Sequence, residues 1–390
     1  MKIGLVCQTY FSLNYGVSAL THSAISILNG IFKKSYDLVL FCQDDNIDAV
    51  KKDIKIRYNL NSVEVYPIIQ PKQIKTYYNY YNNIKFCDYI LDTSLGDGFS
   101  DIYSKRKCFL QCILKEIPII LNKKLVLLPQ TIGPYYNAFF SKWAKTILNK
   151  SEAVFVRDSL SYKYCKQLYS NDNIHITSDM ALMLPYSKSQ NFMNANGKLK
   201  IGLNISGLLY NGGYNKKNQF NLKFDYKKFI TMLVQELNED SNVELFLIPH
   251  VFSQGVEDDY AACIEICNLF NMDNEPIWFD SPMSVKSFIS EMDIFIGSRM
   301  HSTIGAISSN IPTIPVGYSR KFNGLFDQLQ YKYYIDATQT TLLDTINLIK
   351  GYICNVSELK QATDITKTVI DKYNKELVIE LSKVLGDVNE

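Results

Sequence analysis

The residues best suited to chemistry lie between a short apolar run, 293–297, and a predicted helix over 302–310. They are Ser298, Arg299 and His301. The start of a helix directs backbone N–H groups and a positive dipole end outward, which favours an anion. Arg299 adds a permanent charge with a planar set of donors, and His301 adds an imidazole, a side chain suited to proton transfer. The stretch therefore predicts an anion site with a proton donor or acceptor beside it.

Other polar residues and glycines follow the remaining predicted strands. In an open parallel sheet, ligands bind beyond the carboxyl ends of the strands, so these positions are candidates for further contacts. The residues are Asn14, Gly16, Asp97, Gly98, Gln130 and Arg157 in the first half of the chain, and His250, Ser302 and Lys321 in the second. Lys321 follows the strand after that of Arg299, so the two cations lie together if those strands are neighbours.

Several of these residues have a structural alternative that the sequence leaves open. Asp97 lies between two glycines, which suits a ligand loop and an ordinary turn equally. Gln130 is followed by a Gly and a Pro, so a structural turn also explains it. Arg157 fits an anion ligand or a surface ion pair with Asp158, and His250 fits a ligand contact or a hydrogen-bonded structural histidine.

Composition limits the partners of this chain. Its 390 residues include 41 Lys and Arg and 39 Asp and Glu, a net charge of +2, which argues against a nucleic-acid-binding protein. The charges are uneven, because residues 1–190 carry 23 basic and 15 acidic residues, net +8, while residues 191–390 carry 18 and 24, net −6. The basic first half fits peripheral contact with an anionic membrane surface or with a phosphorylated acceptor. Uneven surface composition is the alternative.

The cysteines predict a reducing compartment. Nine are scattered along the chain, and they form neither a CxxC motif nor a cluster of metal ligands. We therefore expect a cytoplasmic protein with no structural metal. The amino terminus has the pattern of a buried strand and not of a signal peptide, and no run approaches the ~18 apolar residues of a membrane span.

Apolar strands alternate with helical stretches, which predicts parallel sheets covered on both faces. In the first half, the predicted strands are 3–7, 38–42, 63–69, 89–92, 125–129 and 154–156. After a polar linker over 187–197, further strands are predicted at 200–205, 243–249, 276–279, 293–296 and 313–316. The fold class is therefore α/β, with two doubly wound Rossmann-like domains, 1–190 and 198–356, facing a cleft. A helix over 357–390 is expected to pack back on the first domain.

Taken in order along the chain, these residues resemble the polysaccharide pyruvyl transferase family. The resemblance rests on a set of short motifs: Asn14-Tyr15-Gly16, the loop 96–98, and the stretches 128–134, 156–158, 178–181, 297–301, 311–312 and 318–321. None of these motifs is decisive alone, and their order makes the resemblance specific.

The resemblance implies a GT-B-like fold and formation of a pyruvate ketal on a sugar. Phosphoenolpyruvate would be the donor, with no other cofactor. Its phosphate and carboxylate suit cationic ligands, and protonation of its methylene carbon needs an acid. The implied donor contacts are Arg299, Lys321, Arg157, Ser298 and Ser302, and the implied catalytic residues are His301, Arg299, Arg157 and Asp97. The implied acceptor contacts are Asn14, Gly16, Gly98, Gln130 and His250.

The resemblance assigns the acceptor to the first domain and phosphoenolpyruvate to the second. The expected acceptor is a bacterial cell-surface polysaccharide or its lipid-diphosphate-linked precursor. The protein would then work in the cytoplasm, peripheral at the inner face of the plasma membrane. Two alternatives stay open. A GT-B glycosyltransferase with a nucleotide-sugar donor would share the fold and the cations, and a non-catalytic carbohydrate- or phosphate-binding protein would share the site.

Overall fold

The computed structural model describes residues 1–70, 72–169, 172–188 and 197–386. The chain divides into two compact units. The first unit comprises Met1–Ser12, Val17–Met183 and Lys372–Glu390, and the second comprises Leu13–Gly16 and Leu184–Asp371. Residues 13–16 thus group with the second unit, although they precede the predicted boundary near residue 190. Most of the predicted linker, 189–196, lies outside the described residues.

The first unit is built on a parallel sheet with the strand order β3-β2-β1-β4-β5-β6-β7. The strands are β1 (Lys2–Gln8), β2 (Asp37–Cys42), β3 (Val63–Pro67), β4 (Tyr89–Asp92), β5 (Lys124–Gln130), β6 (Ala153–Val156) and β7 (Ile174–Ile176). The helices are α1 (Tyr15–Phe32), α2 (Ile47–Tyr58), α3 (Ile74–Ile84), α4 (Lys105–Ile120), α5 (Ala138–Lys150) and α6 (Ser159–Leu168). The strand order reverses between β1 and β4. Doubly wound sheets bind ligands at such a switch point.

The second unit contains a smaller parallel sheet with the order β12-β11-β10-β8-β9. Its strands are β8 (Leu199–Asn204), β9 (Val243–Leu247), β10 (Ile294–Gly297), β11 (Thr313–Gly317) and β12 (Ile335–Asp336). Its helices are α7 (Gly207–Tyr210), α8 (Tyr226–Glu239), α9 (Asp259–Phe270), α10 (Pro282–Ile289), α11 (Met300–Ser308), α12 (Arg320–Gln328) and α13 (Leu342–Cys354). The order reverses beside β8, so the residues after β8 and β10 flank the switch point of this sheet.

The α/β class with parallel sheets is confirmed, and one predicted strand is wrong. Residues 276–279 form no strand in the structure. Pro276 has no backbone N–H to donate to a neighbouring strand, and Ile277 and Trp278 are exposed, so the apolar run does not have the burial of an internal strand. The last helix, α14 (Val356–Leu385), begins one residue before the predicted 357. No helix in the described part of the chain is both long and apolar enough to cross a membrane.

Candidate functional site

The switch point of the second sheet is organised by Asn204, the last residue of β8. Gly297 at the end of β10 lies beside Asn204 in the parallel register. The amide oxygen of Asn204 accepts hydrogen bonds from the backbone N–H of Arg299 at 2.9 Å and from the hydroxyl of Ser302 at 3.0 Å. Its amide nitrogen donates to the carbonyl of Ile248 at 3.0 Å. One buried side chain thus fixes the start of α11 against the ends of two strands.

Asp259, the first residue of α9, holds the guanidinium of Arg299. Its carboxylate accepts from Nη2 at 2.8 Å and from Nε at 3.1 Å. Burial acts to lower the pKa of Arg299, but Asp259 more than offsets this effect and the pKa is raised. Nη2 also donates to the carbonyl of Glu257 at 2.8 Å. Because Nε and Nη2 carry the hydrogen bonds described for this guanidinium, Nη1 is the nitrogen best placed to meet a ligand.

The same carboxylate also fixes two neighbouring loops. Asp259 is fully buried and accepts from the backbone N–H groups of Gly207 at 2.8 Å, His250 at 3.2 Å and Val251 at 3.1 Å. Burial raises the pKa of Asp259, and the Arg299 guanidinium and these backbone donors act against that rise. Asp259 was not among the predicted site residues, because an acidic residue at a helix start usually interacts only with the N-terminal end of its own helix.

The segment 13–16 brings the first glycine motif to this site. The backbone N–H of Tyr15 donates to the carbonyl of His250 at 3.2 Å, and Phe252 donates to the carbonyl of Leu13 at 2.8 Å. The next residue, Gly16, lies against the imidazole of His301. A Cβ atom at Gly16 would lie 2.4 Å from His301 Nδ1 and 2.8 Å from its Cβ, closer than real side chains approach. Glycine is therefore required there for His301 to keep its position.

His250 lies beside this group as a buried, neutral imidazole. It is 5% exposed, and neither of its ring nitrogens has a hydrogen-bond partner among the described residues. Burial, followed by the nearby His301 and Arg299, lowers its pKa to about 3. The ring packs edge-on against Tyr15, with centroids 5.9 Å apart. An unpartnered donor or acceptor costs about 1–3 kcal/mol when buried, so this ring is suited to hydrogen-bond a ligand.

The predicted donor contacts have different positions in this unit. Ser302 is fully buried and its hydroxyl also donates to the carbonyl of Arg299 at 2.8 Å, so it helps to fix the helix start, and its role as a donor contact stays a prediction. Ser298 is likewise buried. Lys321 lies in the first turn of α12, after β11, and β11 pairs with β10. The neighbouring strands that the sequence argument required for Lys321 and Arg299 are therefore present.

In the first unit, Arg157 follows β6 as predicted, but Asp158 is not its main partner. Its Nη1 donates to Asp179 at 2.7 Å, and its Nε donates to the hydroxyl of Thr131 at 3.0 Å. Asp158 instead caps α6 through the N–H of Ser161 at 2.7 Å. Burial acts to lower the pKa of Arg157, but Asp179 and then the nearby Asp97 and Asp158 outweigh it and the pKa is raised. The alternative of a simple surface pair with Asp158 is wrong.

Asp97 and Gly98 lie in a loop after β4, and Gln130 ends β5. The carboxylate of Asp97 accepts a hydrogen bond from the hydroxyl of Tyr103 at 2.8 Å. Gly98 donates to the carbonyl of Ser94 at 2.9 Å, and a Cβ there would lie 2.7 Å from that oxygen. The amide nitrogen of Gln130 is fully buried and donates to two carbonyls, those of Asp92 at 2.8 Å and Leu128 at 3.0 Å. The amide nitrogen of Gln130 thus supports the strand end, while its amide oxygen has no partner among the described residues, and its role as an acceptor contact stays a prediction.

A buried ion pair supports the same loop and was not predicted. Lys115, in the middle of α4, lies 2.9 Å from Asp92 and donates to the hydroxyl of Ser94 at 2.7 Å. Ser94 and Leu95 have φ of 46° and 56°, the left-handed region that costs non-glycine residues about 1–3 kcal/mol. The ion pair and its hydrogen bond hold this strained turn. Nothing in the sequence distinguishes Lys115 from an exposed helix lysine.

Similarity to solved structures defines the class of the fold as GT-B-like. HepE of Anabaena, in complex with UDP-glucose, is 12% identical, with a TM-score of 0.62, and the alignment covers 98% of this chain and 100% of HepE. UDP-GlcNAc 2-epimerase of Neisseria meningitidis, bound to UDP-GlcNAc, is 11% identical, with a TM-score of 0.61 and coverage of 98% and 100%. A glycosyltransferase of Rickettsia africae is 9% identical, with a TM-score of 0.58 and coverage of 99% and 98%. Identities this low show a shared fold only.

The family model for polysaccharide pyruvyl transferases matches residues 14–320. The chain belongs to this family. The match begins at Asn14 and ends in the first turn of α12, so it includes the segment 13–16 almost entirely, together with Asp259, Arg299 and His301. Comparison with curated protein sequences found no match.

Proposed function

We propose that the protein transfers the pyruvyl group of phosphoenolpyruvate to two hydroxyls of one sugar and forms a cyclic ketal. The observation that carries the proposal is the grouping of Arg299, His250 and His301 in the second unit of a polysaccharide pyruvyl transferase. One permanent cation, one buried neutral imidazole and a second imidazole suit a small donor that carries two anionic groups and must accept a proton.

Arg299 is proposed to bind the donor through Nη1. Asp259 holds the guanidinium of Arg299 through Nε and Nη2 before any ligand binds. Binding of an anion therefore costs little side-chain conformational entropy. The start of α11 adds backbone N–H groups and the positive end of its dipole. Lys321, at the start of the next helix along the chain, is proposed as a second cation for the same donor. Phosphate and carboxylate would then each meet a positive group.

His301 is proposed to protonate the methylene carbon of phosphoenolpyruvate. The new C–H bond forms at the expense of the C=C double bond, and the positive charge that develops on the neighbouring carbon is shared with the phosphate-bearing oxygen. One sugar hydroxyl adds to that carbon and loses its proton. The C–O bond to phosphate then breaks, and the second hydroxyl closes the ring and loses its proton, so the products are the ketal and inorganic phosphate. An imidazole that gives its proton to the methylene carbon can regain one from the sugar hydroxyls as they add.

His250 is proposed to hydrogen-bond a ligand group beside His301. As a neutral imidazole it offers one N–H donor and one acceptor nitrogen, which suits a sugar hydroxyl during addition or an oxygen of the donor. Asn14 and Gly16 then act indirectly. The side chain of Asn14 accepts from the N–H of Gly16 at 3.2 Å, and Gly16 positions His301.

The family resemblance is the basis for the roles proposed for residues of the first unit. Arg157 remains a proposed donor ligand, and Asp97 a proposed base for an acceptor hydroxyl. Gly98 shapes the loop that holds Asp97. The proposed acceptor is a cell-surface polysaccharide or its lipid-diphosphate-linked precursor, which places the reaction at the cytoplasmic face of the membrane.

The test is incubation of the full chain with phosphoenolpyruvate and a panel of free and lipid-linked glycans. We expect release of inorganic phosphate and a glycan heavier by one pyruvic acid less one water in the mass spectrum. His301→Asn should abolish both while His175→Asn, a matched change in β7 of the first unit, should not. Release of a nucleoside diphosphate from a sugar nucleotide, without phosphate release from phosphoenolpyruvate, would establish the glycosyltransferase alternative instead. Phosphoenolpyruvate binding without turnover on any glycan would favour a binding protein.

A further inference from the structure

Two exposed helix faces of the first unit combine aromatic and basic side chains. On α4, Lys105 and Arg106 precede Phe109 by four and three residues, so the three side chains share one side of the helix. All three residues are exposed, and Phe109 is 46% exposed. On α5, Phe139 and Lys142 are three residues apart and also exposed.

Ring contacts join these faces into one surface. The indole of Trp143 lies 5.5 Å from the ring of Phe109 and 5.5 Å from the ring of Phe139, both in edge-on geometry. Tyr136, 80% exposed, precedes α5, and its backbone N–H donates to Asp101 at 2.9 Å, which ties it to the turn before α4. Phe109, Trp143 and Phe139 therefore form a continuous group of aromatic side chains on two packed helices, and Tyr136 precedes Phe139 by three residues. We name it the α4–α5 face and define it as Lys105, Arg106, Phe109, Tyr136, Phe139, Lys142 and Trp143.

The charge of this face has one sign. α5 contains Lys142, Lys145 and Lys150 and no acidic residue, and Glu116 is the one acidic residue of α4. Glu116 accepts a hydrogen bond from the indole N–H of Trp143 at 3.1 Å, so its charge lies beside a donor. The acidic neighbour Asp101 accepts two backbone N–H groups. Exposed aromatic rings next to cations that make no ion pair within the described part of the chain fit the interface of an anionic bilayer, where rings enter the headgroup region and cations meet lipid phosphate.

We propose that the α4–α5 face is a docking surface for an anionic lipid bilayer. Exposed aromatic groups alone would suit a second protein chain equally. The three basic residues on the same faces favour a polyanionic surface, and like charges on two copies of this face would repel each other. The inference is independent of the donor chemistry, because it rests on helices that contain none of the proposed donor or acceptor contacts.

The first test is co-sedimentation of the full chain with vesicles. We expect binding to vesicles of phosphatidylcholine with phosphatidylglycerol at low salt, little binding to phosphatidylcholine alone, and loss of binding at high salt. Lys105→Gln/Arg106→Gln/Lys142→Gln should weaken binding about a hundredfold, since each basic residue near an anionic surface contributes about 1 kcal/mol. The matched control Lys34→Gln/Lys52→Gln/Lys55→Gln removes the same charge from exposed lysines elsewhere in the first unit and should bind nearly as the wild type does.

The second test locates the contact. The chain has two tryptophans, so Trp278→Phe leaves Trp143 as the single fluorophore, and Trp143→Phe leaves Trp278. Anionic vesicles should shift the Trp143 emission to the blue and leave the Trp278 emission unchanged. The proposal is overturned by an unshifted Trp143, by equal loss of binding in the two triple variants, or by Phe109→Ser/Phe139→Ser converting a dimer into a monomer. Transfer to a water-soluble glycan should be unchanged in the triple variant, so failure here leaves the proposed chemistry untouched.

Discussion

Replacing Gly16 with alanine should disable the site while leaving the fold intact. The added Cβ would lie 2.4 Å from Nδ1 of His301, and ordinary contact begins at 3.4 Å, so the imidazole must move by about 1 Å. A misplacement of about 1 Å costs a catalytic group about a hundredfold in rate, or about 2.7 kcal/mol of activation free energy. Alanine is a better helix former than glycine, and Gly16 lies in the first turn of α1, so this gain offsets part of the packing cost and any loss of stability should stay below about 3 kcal/mol.

The matched control is Gly30→Ala, in the same helix. A Cβ at Gly30 meets nothing within 4 Å, so this variant should gain a little stability and keep its activity. The assay is steady-state phosphate release from phosphoenolpyruvate, with urea unfolding of both variants. We expect kcat to fall about a hundredfold in Gly16→Ala alone. Wild-type kcat in Gly16→Ala, or equal losses in the two variants, would refute the placement of His301 against Gly16.

Three further predictions concern buried charges. Lys115→Met should lower the unfolding free energy of the first unit by about 3–5 kcal/mol in urea, because it leaves the buried Asp92 unpaired. The control Lys124→Met removes an exposed pair and should cost under about 1 kcal/mol. Equal losses of unfolding free energy in the two variants would contradict this prediction. Asp259→Asn should lower the unfolding free energy of the second unit by about 3–5 kcal/mol, because its partner Arg299 is 11% exposed and stays charged. An unchanged unfolding free energy would show that the pair is dispensable. Burial lowers the pKa of Lys286 to about 7 from 10.5, so the unfolded chain holds this proton more tightly. The unfolding free energy of the wild type, relative to that of Lys286→Met, should therefore rise between pH 7 and 10. A difference between the two proteins that does not change with pH would contradict the lowered pKa of Lys286.

Sequence reasoning located the parts of the site that are local in the chain. Arg299 and His301 were recognisable because a buried strand, a glycine and a helix start follow one another within a few residues. Alternating apolar strands and helices were enough to predict parallel sheets in both halves. The wrong strand at 276–279 shows the limit of this argument, since apolar composition does not reveal whether a neighbouring strand is available to pair.

What the sequence could not reveal are the partners that topology brings together. Asp259 lies 40 residues before Arg299, and only the strand order β10-β8-β9 brings the start of α9 near the start of α11. The same holds for Gly16, whose neighbour His301 is far along the chain. Gln130 shows a further limit of the sequence. An amide at a strand end can face a ligand or its own backbone, and the sequence does not reveal the side-chain direction that decides between them.

Calorimetric titration of the full chain with phosphoenolpyruvate tests the central claim most directly, because it requires no knowledge of the acceptor. We predict saturable binding of phosphoenolpyruvate at one site, loss of that binding in Arg299→Met, and no binding of UDP or UDP-glucose. Circular dichroism of Arg299→Met would confirm that the variant is folded. Saturable binding of UDP-glucose by a chain that does not bind phosphoenolpyruvate would contradict the account.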